Sequence, residues 1–436
     1  MHRPSSAFGA FALGTALVLV PAASAIAAPP VQAPKKSSPH AVLIGGNLKE
    51  NAEILQAIVD LADPDGAGPQ HARIAIVTAA ASSAATPEQA ANPDENNAAA
   101  NGLYYSGLFQ SFGAETYSVP IDEAVDYAGD GYTPARALDT GVAAEIAAST
   151  GVFFGGGDQM RYARTLFECA DAELEAFSDC ADTPAMTAIR SVAARGVVAG
   201  VSAGLTIQQG ADMVTGGESY QAWRDGATAG YLDDATALGY LPYGGFGFVD
   251  GVLLDSHFTT WGREGRAITL ALATGHPYVL GVDETTAVVL DRTTGQGRVI
   301  GEHGASIIDV SNAARTDQTV TGVRWSYANA GDSIDLRHNA AIAKGKGATK
   351  VKPGGEDAAP VADLWDSIDG AGGAYTMRDL GQAVVASASG VGTGVTYETD
   401  PRFETTLTRD QGTRAWTTSG GHVSFADLRV EIADAD

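Results

Sequence analysis

Short apolar runs closed by glycine alternate with helical periodicities along the first half of this chain. Ala41-Val42-Leu43-Ile44 followed by Gly45-Gly46 predicts a short buried strand and a turn, and residues 48–62 carry the spacing of an amphipathic helix. A Gly/Pro/Asp loop at 63–69 leads to a second apolar run at 73–78. Residues 79–100, rich in Ala, Ser and Asn, read as a loop before a helix over 104–112 and a strand over 116–119. Gly151-Val152-Phe153-Phe154 predicts a further buried strand, ending in Gly155-Gly156-Gly157-Asp158-Gln159, with a helix over 160–167. Alternation of this kind predicts an α/β fold with a mostly parallel, doubly wound sheet. Helices cover both faces of such a sheet, and functional groups gather at the carboxyl ends of its strands.

Beyond about residue 310 the pattern changes. Thr319-Val320-Thr321-Gly322-Val323-Arg324-Trp325 alternates as a strand does, residues 344–358 form a Gly/Lys-rich linker, and 396–399 and 405–408 are strand-like around a helix at 377–386. This predicts a small mixed C-terminal accessory region, in which no second constellation of reactive residues is evident.

Composition narrows the class. The 436 residues are 45% hydrophobic and 18% charged, enough for a sizeable core and about two or three domains. His2 and Arg3, an apolar run at 7–20 and small residues at 22–28 predict a secretory signal peptide over 1–28. The apolar run is short for a membrane span, so no stable insertion is expected after cleavage. A Pro-containing leader follows at 29–39. The chain carries 52 acidic against 27 basic side chains, a net charge of −25, so nucleic acid is excluded as a natural partner. The two cysteines, Cys169 and Cys180, fit one disulfide closing a small loop in an exported chain, with free thiols as the alternative, and do not make a metal site. Neither Gly45-Gly46-Asn47 nor residues 155–158 has the spacing of a nucleotide cradle, and no cofactor is called for.

The chemistry centres on Gly200-Val201-Ser202-Ala203-Gly204, a GxSxG pentapeptide closing the apolar run 196–199. A strand turning sharply into a helix at such a serine lifts the hydroxyl to where a substrate reaches it. A hydroxyl needs a base, most often a histidine held by a carboxylate. Of eight histidines, His257 stands apart because it follows Val252-Leu253-Leu254-Asp255-Ser256 at the end of a predicted buried strand. The next predicted strand, Tyr278-Val279-Leu280-Gly281-Val282, runs into Asp283-Glu284, either of which could orient the imidazole. The order Ser, His, acid differs from the Ser, acid, His of α/β-hydrolases. A glycine-rich turn such as Gly155-Gly156-Gly157 exposes backbone amides to a developing oxyanion.

Four blocks taken together resemble the cyanophycinases, serine peptidases related to dipeptidase E, whose fold is similar to class I glutamine amidotransferases. The blocks are Phe153-Phe154-Gly155-Gly156-Gly157-Asp158-Gln159, Gly200-Val201-Ser202-Ala203-Gly204, Asp255-Ser256-His257-Phe258 with Arg263 and Arg266, and Gly281-Val282-Asp283-Glu284-Thr285-Thr286-Ala287. The resemblance covers roughly residues 40–310, the expected catalytic domain, and leaves 311–436 as the accessory region. It implies Ser202 as nucleophile, His257 as general base and Glu284 as orienting acid. It also implies Gly157 and Ala203 as oxyanion-hole amides, with Gln159, Asp255, Ser256, Arg263 and Arg266 along the substrate cleft. The implied reaction is exopeptidase cleavage of cyanophycin, a poly-aspartate backbone bearing arginine on each side-chain carboxyl, to β-Asp-Arg dipeptides. Ser256 replaces the usual Gln before the histidine and Trp261 replaces the usual Arg, which bears on the substrate more than on the chemistry. Two alternatives follow: a peptidase of Asp-X or β-aspartyl peptides, and an inactive secreted binding protein on the same scaffold. The expected location is secreted or periplasmic, and a homodimer is compatible with the sequence.

Overall fold

The computed structural model describes residues 39–170, 177–338, 340–365 and 374–435. The expected signal peptide, and the leader up to residue 38, lie outside the described residues.

The first sheet is built from β1 (His40–Ile44), β2 (Arg73–Val77), β3 (Glu115–Ser118), β4 (Gly151–Phe154) and β5 (Val197–Val201), joined by later strands. The helices that matter to it are α1 (Ala52–Ala62), α2 (Ala98–Ser111), α3 (Gln159–Leu166), α4 (Pro184–Ala193) and the one-turn α5 (Ala203–Thr206). Apolar residues on both faces of each strand explain the two-sided cover. Val42 and Ile44 of β1 join Ile54, Leu55, Ile58 and Val59 of α1 and Phe109 of α2 in one cluster. Ala41 and Leu43 join Met160 and Tyr162 of α3 and Met186, Ile189 and Val192 of α4 in the other. Each large aliphatic side chain buried in this way contributes about 1.5–3 kcal/mol. Helix α1 starts at Ala52 because the Asn51 side chain accepts from the Ile54 amide, whereas Lys49, inside the predicted helix, has positive φ.

The second half of the chain adds β6 (Leu253–Asp255), β7 (Tyr278–Val282), β8 (Thr286–Asp291), β9 (Gln296–Gly301), β10 (Gly304–Asp309), β11 (Thr319–Asn329), β12 (Ser333–Asp335) and β13 (Ala341–Ala343). It ends with β14 (Thr349–Lys350), β15 (Val391–Val395), β16 (Phe403–Thr408), β17 (Arg414–Thr417) and β18 (Val423–Asp434). Two further helices are α6 (Glu264–Thr274) and α7 (Thr376–Ala386). The first sheet runs β13-β12-β9-β8-β1-β5-β4-β2-β3. It is parallel from β1 to β3 and antiparallel from β1 to β13. The main path of the second sheet is β6-β7-β10-β11-β18-β16-β15, in which only β6 and β7 pair in parallel. The result is a mixed α/β fold.

The two sheets share a core. Leu254, Leu280 and Ile307 of the second sheet cluster with Val288, Leu290 and Val299 of the first. On the opposite face, Leu253, Val279 and Ile308 pack with Ile268 and Leu270 of α6 and with Met377, Leu380 and Val384 of α7. Strands on either side of residue 310 belong to one ladder, since β10 and β11 pair from Gly304↔Asn329 to Asp309↔Arg324. The strand expected at 396–399 is instead a turn after β15. There the Thr396 hydroxyl donates to the Glu398 carbonyl and accepts from the Phe403 amide, satisfying groups a ladder would otherwise engage. Cys169 and Cys180 form a disulfide with an S–S distance of 2.07 Å.

Candidate active site

Strand β5 breaks into α5 at Ser202, whose backbone sits at φ 56° and ψ −115°. A non-glycine residue held there stores on the order of 1–3 kcal/mol of strain, offset by the surrounding packing. The flanking glycines are required by close approach. A Cβ on Gly200 would lie 2.1 Å from the Gly204 carbonyl oxygen, and one on Gly204 would lie 2.2 Å from that of Phe154.

The candidate base and acid come from the other sheet. Strands β6 and β7 are parallel neighbours with Asp255 opposite Gly281, so the turns that follow them lie side by side. His257 Nε2 is 2.8 Å from Ser202 Oγ, and His257 Nδ1 is 2.7 Å from Glu284 Oε1. With Nδ1–H donating to the carboxylate, Nε2 is left to accept the serine proton. Burial holds the imidazole below the usual histidine range, and Glu284 opposes this by favouring the charged form. The hydrogen bond from His257, helped by Asn47, holds Glu284 below the usual carboxylate range. An ionised carboxylate beside a neutral imidazole follows near neutral pH.

Of the two acids expected to compete for His257, Asp283 turns away. It is fully buried, accepts from the Thr259 amide and hydroxyl at 2.7 Å each, and accepts from Tyr327 Oη at 2.7 Å. It therefore fixes the turn that follows His257 rather than the ring itself.

Residues 45–47 join the halves of the site. The His257 amide donates to Gly45 O at 2.7 Å and the Thr285 amide to Gly46 O at 2.8 Å. A Cβ on Gly46 would lie 2.3 Å from His257 Cε1, so only glycine leaves the ring its place. Asn47 Nδ2 donates to Glu284 Oε2 at 3.1 Å, and Trp261 stacks on His257 at 4.1 Å between ring centroids. The sequence marks Gly45-Gly46 as a turn after a strand and rules out a phosphate cradle there, but does not single out Gly46, Asn47 or Tyr327 as site residues. The available signal was a double glycine and a side-chain amide at the carboxyl end of a buried strand.

Ser202 and His257 open onto a cleft of about 210 Å³, also lined by Gly157, Gln159, Ala203, Ser256, Trp261, Arg263 and Arg266. Ala203 is the first residue of α5, so its N–H has no intrahelical acceptor. Gln159 Nε2 donates to Val214 O at 2.8 Å. Asp255, expected along the cleft, lies behind it, because its carboxylate is engaged by Arg266 through Nε at 2.9 Å and Nη2 at 2.5 Å. Arg266 also donates to Gly217 O at 2.7 Å. Arg263 is held more loosely: Nη1 donates to Ser256 O at 2.8 Å and lies 3.4 Å from Asp255 Oδ1, the guanidinium lies 4.6 Å from the Trp261 ring centroid, and Nε is buried without a hydrogen-bond partner among the described residues. Burial, with Arg266 nearby, pulls the Arg263 pKa down to about 10.

No model of a known protein family matches the chain. Over 183 residues it is 31% identical to the cyanophycinases of Trichormus variabilis and a Nostoc species, covering 42% of this chain and 52% of each relative. Over 249 residues it is 26% identical to the cyanophycinase of Synechococcus elongatus, covering 55% of this chain and 66% of that relative. By sequence the chain is cyanophycinase-like. It spans about half the length of the first two curated relatives. Among solved structures, a peptidase from an acI-B1 Actinobacterium aligns over 68% of this chain and 97% of its own at 17% identity. The alignment has a TM-score of 0.44.

Proposed function

We propose that this chain is a serine-type peptidase that hydrolyses the aspartyl backbone of cyanophycin to β-Asp-Arg dipeptides, acting after export. The observation that carries the proposal is the continuous hydrogen-bonded series Glu284–His257–Ser202 at the mouth of a cleft. His257 Nε2 takes the Ser202 proton as Oγ attacks the scissile carbonyl, and the Gly157 and Ala203 amides receive the oxyanion. The carbonyl then reforms as the amine leaves with the proton from His257. Water, deprotonated by the same imidazole, releases the acyl group and restores the serine. The Arg263 guanidinium, which lines the cleft, suits a substrate carboxylate. In this reading residues 40–310 carry the machinery on a scaffold akin to class I glutamine amidotransferases, and 311–436 support it. The disulfide accords with an oxidising compartment outside the cytoplasm.

A second reading, cleavage of Asp-X or β-aspartyl peptides, is favoured by one observation. Asp255 and the Gly217 carbonyl occupy Arg266, whereas Arg263 lines the cleft with only a 3.4 Å contact to Asp255, which suits a small substrate with one carboxylate. The deciding experiment incubates the purified protein with cyanophycin and with a panel of these peptides, followed by mass analysis. β-Asp-Arg released by the wild type and not by Ser202→Ala supports the first reading. Cleavage of the small peptides alone replaces it with the second. No cleavage and no labelling by an active-site serine probe would leave a binding protein.

A further inference from the structure

The lysines of this acidic chain are unevenly placed. Lys344, Lys346, Lys350 and Lys352 fall within nine residues, the others being Lys35, Lys36 and Lys49. The segment that reads as a Gly/Lys-rich linker is anchored. Gly345 N donates to Asp332 Oδ1 at 2.7 Å, β14 pairs with β17 so that Lys350 faces Trp416, and Val351 N donates to Ala415 O at 3.1 Å. Between this segment and the second sheet lies a cavity of about 640 Å³, larger than the catalytic cleft and in the size range of sites for small organic ligands.

Cations dominate its wall: Lys344, Lys350, Arg409 and Arg414 line it together with a single acid, Asp410. Asp410 is engaged by Arg324 at 2.7 Å. Arg409 is a fixed part of the wall, since Nη1 donates to Ser387 O at 2.7 Å and to Val385 O at 3.1 Å, closing the end of α7. Neither Lys344 nor Lys350 forms an ion pair among the described residues, and Arg414 has only an exposed contact to Asp427 at 3.2 Å. Val351, Pro353, Val385 and Trp416 supply an apolar side. In a chain of net charge −25, a cavity with four lining cations against one acid, itself paired with Arg324, concentrates the opposite potential at one place.

We propose that this cavity binds a small organic anion carrying two or more acidic groups, carboxylate or phosphate, on a compact body that rests against Trp416. Lys344, Lys350 and Arg414 meet the acidic groups. The site is separate from the cleft of Ser202, because the lining residues of the two do not overlap.

The test is calorimetric titration of the full chain at low salt with citrate and, separately, pyrophosphate, with tryptophan fluorescence as a second readout. Saturable one-site binding near or below about 1 mM is expected for at least one probe, weakening as salt screens the lysines. The probe that binds identifies the acidic group. Lys344→Ala/Lys350→Ala should weaken binding by about tenfold or more, whereas Lys346→Ala/Lys352→Ala, at residues outside the lining, should change it by less than about threefold. Both double variants should keep wild-type peptidase activity. Equal weakening by the two pairs would overturn the cavity in favour of a diffuse basic patch, and no saturable binding of either probe would overturn the site. Binding of a hexa-aspartate peptide without either small probe would overturn the small ligand and point to an acidic peptide.

Discussion

The parallel half of the first sheet and the turns of the second sheet present their reactive groups differently. Ser202 is locked by backbone alone: a positive φ, two glycines against carbonyl oxygens, and a strand buried on both faces. His257 also sits at positive φ with its amide on Gly45 O, but it and Glu284 depend further on side chains: Trp261 and Asp283 nearby, and Asn47 and Tyr327 far away in sequence. A nucleophile set by local geometry tolerates change elsewhere in the molecule. A base set by long-range contacts is only as well placed as the sheet behind it.

The largest effect should come from removing the groups that meet between the sheets. Ser202→Ala and His257→Ala should each lower kcat by about 10⁶-fold, and the double variant should be no worse than either alone if the two act as one unit. Losses that multiply in single-turnover assays would separate the two halves. Glu284→Gln should cost about 10⁴-fold and also move the pH profile. His257 must be neutral to accept a proton, so kcat/KM of the wild type should fall as pH drops through a value below the ordinary histidine pKa. Because Glu284 favours the charged ring, its loss should shift that acid limb to lower pH; a shift to higher pH would contradict the assigned contact.

Gly46→Ala sharpens the comparison, because the new methyl meets a movable ring rather than backbone. We expect kcat to fall by about 10²-fold and the thermal midpoint to fall with it, because Gly46 sits at φ 156°, where a residue with a Cβ is strained. Tyr327→Phe probes the most remote support. It removes a hydrogen bond to a buried carboxylate, which should cost about 1.5–3 kcal/mol in denaturant titrations, with a loss of kcat smaller than that of Gly46→Ala. Unchanged stability with unchanged kcat would show that the second sheet does not tension the base through Asp283.

The parallel half was legible because its strands are short, apolar and closed by glycine, and its helices are periodic. Ser202 and His257 stand out because each follows a short apolar strand, whereas the strand before Asp283-Glu284 leaves both acids open and the choice of Glu284 comes from the resemblance to cyanophycinases. The side-by-side turns could not be read in the same way, since the parallel pairing of β6 with β7 spans residues 253–282 and carries no local mark. The division between Asp283 and Glu284 depends on Tyr327, a residue with no distinguishing neighbours in sequence. Asp255 was misplaced for a similar reason: its partner Arg266 sits on α6, and only the packed helix brings that guanidinium behind the cleft.

Strand β18 lies between β11 and β16, in the interior of the sheet whose far strands deliver His257 and Glu284. Removing β18 would therefore take an interior strand from the sheet behind His257 and Glu284 while leaving every strand beside Ser202 in place.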